Sequence, residues 1–100
     1  MVWRVKVKVD ANQPEIVKAL KLGGCSVQSI AGVGKGCPDL LVGYRGVTYL
    51  MEVKDGSKAA SARKLTPAEA VFELNWKGGT LATVKSVEEA LAVVGLELAQ

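Results

Sequence analysis

Residues 39–54, DLLVGYRGVTYLMEVK, constrain the fold more than any other stretch of the chain. Two runs rich in β-branched and aliphatic residues flank GYRG, a short glycine-containing turn, and this pattern predicts a β-hairpin. A turn symmetric about Tyr44 and Arg45 sets Val42 opposite Val47 and Asp39 opposite Leu50. Side chains two apart on a strand point the same way, about 6.6 Å apart. Glu52 and Lys54 therefore share a face, and Asp39 joins them as a diagonal neighbour of Glu52, roughly 5–8 Å away. The other face (Leu40, Val42, Val47, Tyr49, Met51 and Val53) is uniformly apolar. One side of the hairpin is made for a core, and the other turns charged at one end.

The flanking segments are consistent with an α/β domain built around that hairpin. Residues 2–9 alternate, with Trp3, Val5, Val7 and Val9 against Arg4, Lys6 and Lys8, which predicts a half-buried strand. DANQPEIVKALKLGG predicts a helix capped by Asp10 or Asn12, with Pro14 in the first turn and Gly23-Gly24 at its end. Ile16, Val17, Ala19, Leu20 and Leu22 form its core side. Residues 25–31 predict a strand, followed by a loop with Gly32, Gly34 and Gly36. TPAEAVFELNWKGG predicts a helix with Thr66 as N-cap, Pro67 at the first position and Glu69 closing a capping box. GTLATVK predicts a strand. SVEEALAVVG predicts a last helix, with Ser86 and Glu89 as a second capping box. The expected order is β-α-β-β-β-α-β-α over one domain, residues 1–100, with 1–10 as an N-terminal strand extension.

Composition narrows the chemistry. The chain has no histidine, which excludes Ser-His-Asp and Cys-His catalysis and His-ligated zinc. Cys25 and Cys37 make neither a disulfide framework nor a zinc set, and read as small buried residues in a reduced, cytoplasmic protein. No apolar run is long enough to span a bilayer, and the alternating N-terminus does not read as a signal peptide. One hundred residues afford a core but not a deep enclosing cleft. The formal net charge of +3 permits a polyanionic partner without establishing one.

Two carboxylates converging at one end of a sheet suit a hard cation such as Mg²⁺ or Mn²⁺. Such an ion acidifies bound water and neutralises charge on a phosphoryl group, and a neighbouring lysine orients that water. The alternative is structural: Lys54 neutralises two acids at a strand end. Spacing alone weighs these equally. GVGKG lacks the full phosphate-loop pattern, so nucleotide binding is not expected. Lys35 in that loop, and Lys58, Arg63 and Lys64 after the hairpin, are either phosphate contacts or solvated charges.

The order Pro38-Asp39, then Glu52-x-Lys54, resembles the PD-(D/E)XK nuclease motif. GKGCPDLLV, VTYLMEVKDG, KLTPAE and KGGTLATVKSVEEAL extend the resemblance to the VRR-NUC branch, over about residues 14 to 94. It implies a restriction-endonuclease-like mixed β-sheet flanked by helices, and Mg²⁺- or Mn²⁺-dependent hydrolysis of DNA phosphodiester bonds. By the same resemblance, Asp39, Glu52 and the backbone carbonyl of Val53 would ligate the metal, and Lys54 would position or activate the attacking water. Glu15 would be a further acid from the first helix, although an acid in a first turn also simply opposes the macrodipole. The resemblance further implies a homodimer acting on branched DNA such as Holliday junctions, of microbial or viral origin. One departure stands out. The family commonly has L-S-P-x-Q where this chain has LTPAE, so Glu69 replaces a glutamine. That glutamine contacts metal-site water or substrate, so Glu69 either adds negative charge to the site or caps its helix, with capping the favoured role.

Overall fold

The computed structural model describes residues 10–97. These form a mixed α/β arrangement of a four-stranded sheet and three α-helices. The expected strand at residues 2–9 lies outside the described residues. The first helix, α1, spans Gln13–Leu22. It leads into β1 (Ser26–Ser29), β2 (Leu40–Tyr44) and β3 (Val47–Val53), an antiparallel meander. Helix α2 (Pro67–Asn75) then crosses over to β4 (Leu81–Val84), which runs parallel to β3, and α3 (Val87–Val93) follows. The sheet order is β1-β2-β3-β4.

The hairpin turn is displaced by one residue from the symmetric expectation. Its central residues are Arg45 and Gly46, both with positive φ (50° and 80°), and Tyr44 pairs with Val47. A two-residue turn of this kind matches the twist of the strands but needs two left-handed residues, a demand that Gly46 meets at its second position. The pairing therefore shifts by two: Leu41, not Asp39, faces Leu50, and Leu40 faces Met51. Because side chains alternate with period two, this shift leaves every residue on its expected face. Val47, at the hairpin tip, is 47% exposed and adds little to the core.

The apolar face carries the core. Leu40, Val42, Met51, Val53 and Val84 from the sheet pack with Ile16 and Leu20 of α1, with Ala90 and Leu91 of α3 and with Val94 just after it. Burying each larger aliphatic side chain contributes about 1.5–3 kcal/mol. Leu22, expected on the core side of α1, is instead 80% exposed. At 100° per residue it falls away from the Ile16–Leu20 stripe.

Helix starts follow the sequence unevenly. Thr66 and Glu69 form the complete capping box of α2. Ser86 accepts from the Glu89 N–H at 3.1 Å, but Glu89 takes the Lys85 N–H at 3.0 Å, one residue earlier than a box requires. Asn12 is the N-cap of α1 without capping it. Its Nδ2 instead donates to the Lys54 and Lys85 carbonyls, both at 3.1 Å, tying the ends of two strands to the start of α1. Strand β1 stops at Ser29, because a 3₁₀ turn over Ala31–Val33 begins the glycine loop. Trp76 packs at the helix end, stacked on Phe72, its indole N–H donating to the Gly79 carbonyl.

Candidate catalytic site at the charged end of the sheet

Asp39 is the residue just before β2, and continuing the Leu40–Met51 register by one step sets it opposite Glu52. This is closer than the diagonal relation expected from the symmetric turn. Asp39 Oδ2 accepts the Val53 backbone N–H at 2.8 Å. The N–H and C=O of one strand residue point to the same side, so the Val53 carbonyl also faces the Asp39 strand. Lys54 alternates to the other side: its N–H donates to the Val84 carbonyl at 2.9 Å, and its own carbonyl accepts from Asn12.

The side chains of Glu52 and Lys54 are almost buried, at 6% and 11% exposure. Lys54 Nζ lies 3.6 Å from Glu52 Oε1 and donates to Glu69 Oε1 at 2.8 Å. The same Glu69 oxygen accepts the Thr66 N–H at 2.8 Å. Glu69 thus caps its helix, as expected, and also belongs to the site. The local pattern favours the cap and leaves the site role open; the structure gives Glu69 both. Asp10, expected only as a possible cap, also belongs to the site. It lines the same cavity, 3.9 Å from Lys58.

Three acids around one lysine cannot all ionise freely. Burial pushes the Glu52 carboxyl up to about 9, reinforced by its hydrogen bond with Glu69 and by the neighbouring Asp39. Burial also raises Asp39, in spite of the Val53 N–H that favours its charge. Burial works against the charge of Glu69 too, yet hydrogen bonds from Glu52, Lys54 and Thr66 outweigh it and hold Glu69 down at about 2. For Lys54, burial opposes the charge and is outweighed by Glu69 and Glu52, which raise its pKa. Glu52 is thus pushed towards its neutral form, and Glu69 towards its ionised form beside Lys54.

These groups floor a cavity of about 450 Å³, with Lys58 and Lys64 at its edge. Asp39, Glu52, Lys54, Lys58 and Lys64 are therefore brought together as the sequence suggested. Glu15 is not. It is exposed on α1 and lines a separate cleft of about 670 Å³, together with Arg63, Lys85 and Glu89. Lys35 lies apart as well, in the glycine loop beside Phe72 and Trp76.

Among the described residues, no three His, Cys, Asp or Glu side chains form a group that could hold a metal ion. The arrangement offers a carboxylate pair, Asp39 and Glu52, with the Val53 carbonyl on the same side. That set fits a largely hydrated Mg²⁺ or Mn²⁺, which takes one or two carboxylates and keeps several waters. The crowding of Glu52 with Asp39 and Glu69 raises its pKa, and a divalent cation there would relieve that excess of negative charge. Among the described residues, no helix is long and apolar enough to cross a membrane. Compared with known proteins, the chain matches no family model, no curated protein and no solved structure.

Proposed function

We propose that this protein is a metal-dependent endonuclease that hydrolyses DNA phosphodiester bonds, a VRR-NUC-type member of the PD-(D/E)XK nucleases with a restriction-endonuclease-like core. The observation that carries this reading is the convergence of Asp39, just before β2, with Glu52 and Lys54 on one cavity floor, Asp39 held by the Val53 N–H. Asp39, Glu52 and the Val53 carbonyl would hold Mg²⁺ or Mn²⁺, which supplies an acidified water and neutralises phosphoryl charge. Lys54 keeps its ammonium within reach of that floor, where it orients the attacking water or stabilises the developing negative charge. Lys58 and Lys64 meet the phosphates next to the scissile bond. Lys35 and Arg63, away from the cavity, serve only a longer track of DNA. Branched DNA is the proposed substrate and a homodimer the proposed acting form, because cleaving two strands requires two such sites.

The test is to incubate the protein with flap, four-way-junction and linear DNA in Mg²⁺ or Mn²⁺. Cleavage that disappears in Asp39→Ala and Lys54→Ala supports the reading. No cleavage of any substrate, or full activity in either variant, overturns it. One observation favours a second reading, a non-catalytic nucleic-acid-binding module: Lys54 is already engaged by Glu69 at 2.8 Å. Salt-sensitive DNA binding without metal-dependent hydrolysis would select that alternative.

A further inference from the structure

We propose that Glu69 is a positioning residue that holds the Lys54 ammonium over the cavity floor, and that Gly36 is the residue that lets α2 come close enough for it to do so. Lysine has a long stem and considerable rotamer freedom, and a strand-end lysine needs a fixed partner to stay in one place. Of its two acidic neighbours, Glu69 is the nearer, at 2.8 Å against 3.6 Å for Glu52. The Glu69 carboxylate is itself fixed, because the oxygen that meets Lys54 also accepts the Thr66 N–H. The ammonium is therefore tied to the backbone at the start of α2, not to a free side chain.

What places the start of α2 is unusual. No residue of this helix is buried, and Val71 and Leu74 are 56% and 81% exposed. Apolar packing, which normally docks a helix, does not decide where its first turn lies. The glycine loop does. Gly36, with φ +78°, sits against the backbone of that turn. A Cβ at this position would fall on the Ala68 carbonyl and 2.8 Å from the Glu69 nitrogen. Both the close approach and the left-handed backbone exclude a side chain there. Gly36 on one side and Lys54 on the other thus hold the turn that carries Glu69.

The role of Lys54 in turnover rests on the nuclease reading; its positioning does not, and the experiment separates the two. The metal-free protein is treated with a small amine acylating reagent, and mass spectrometry follows the rate at Lys54 relative to Lys77. Far-UV circular dichroism checks that each variant is folded. Glu69→Ala is expected to raise the Lys54 rate about fivefold, the scale of one lost hydrogen bond. Gly36→Ala moves it in the same direction, and Glu69→Gln, which keeps an acceptor for both partners but loses the charge, raises it less than Glu69→Ala does. Thr66→Ala removes the other half of the capping box and leaves Lys54 near its wild-type rate. In DNA cleavage, Glu69→Ala lowers kcat about tenfold with KM within about twofold, and Glu69→Gln restores most of the loss. An unchanged Lys54 rate in Glu69→Ala overturns the proposal. So does a Thr66→Ala effect as large as that of Glu69→Ala, which would reduce Glu69 to a helix cap. If Gly36→Ala fails to fold, the Glu69 and Thr66 variants still decide. If Lys54 responds as expected but the wild type cleaves no DNA, the positioning stands and the nuclease reading falls.

Discussion

Asp39, the residue just before β2, comes opposite Glu52 when the Leu40–Met51 register is continued by one step, and the Val53 N–H anchors it there at 2.8 Å. Glu52 is thus held within β3, and Asp39 by a hydrogen bond to the backbone of the same strand. Asp39→Asn keeps an acceptor for the Val53 N–H and removes the charge. Stability is expected to change by less than about 1 kcal/mol, while metal-dependent cleavage falls at least about a hundredfold. Asp39→Ala orphans the N–H as well and costs about 1–3 kcal/mol. Thermal unfolding and cleavage rates, measured side by side, separate the two effects.

Glu52 carries the cost of the site. Its side chain is 6% exposed and its carboxyl is pushed up to about 9. Glu52→Gln replaces an acid that resists ionisation by a neutral amide of the same shape. The variant is expected to be more stable than the wild type by roughly 1–3 kcal/mol near pH 8, with little difference near pH 4, and to lose metal-dependent activity. Urea unfolding at the two pH values checks the stability, and a cleavage assay checks the loss.

The pH dependence of stability follows from Glu52 and Glu69. A free glutamate titrates near 4.5, and folded Glu52 at about 9, so between these values the folded state holds the extra proton. Stability in the metal-free protein therefore falls as pH rises through that window, and Asp39, also raised, acts in the same sense. Glu69 works oppositely. Held at about 2, it contributes stability above 4.5 that is lost as pH falls towards 2. The maximum lies near the ordinary glutamate value, about pH 4.5. Mg²⁺ requires ionised ligands and is expected to stabilise more near pH 8 than near pH 6, flattening the alkaline fall. Denaturant titrations with EDTA and with Mg²⁺ measure both limbs.

Asn12 clasps the strand ends through the carbonyls of Lys54 and Lys85. Asn12→Ala leaves both carbonyls without that donor and is expected to destabilise by about 1–3 kcal/mol. Chemical denaturation at constant pH gives this value directly.

Glu15 lines a different cleft from the carboxylate pair. Glu15→Ala is therefore expected to leave DNA cleavage within about twofold of wild type. A loss as large as that of Asp39→Ala would return Glu15 to the site.

Much of this arrangement is legible in the residue pattern. Alternation alone assigns Asp39, Glu52 and Lys54 to one face of the hairpin, and a turn displaced by one residue cannot change that, because the pairing slips by two and parity survives. The Thr66–Glu69 box and the Ile16–Leu20 stripe are equally local, set by helical geometry within a few residues. The tertiary structure decided the rest. The direct opposition of Asp39 and Glu52 depends on a turn that needs two left-handed residues. The second partner of Glu69 depends on how closely Gly36 admits α2. Asn12, a cap by its position, spends its amide on two strand ends instead, and Glu15 faces another cleft. Backbone periodicity determines which side of an element a residue occupies. Only packing between elements determines which charges then meet, because that depends on contacts between segments far apart in the chain.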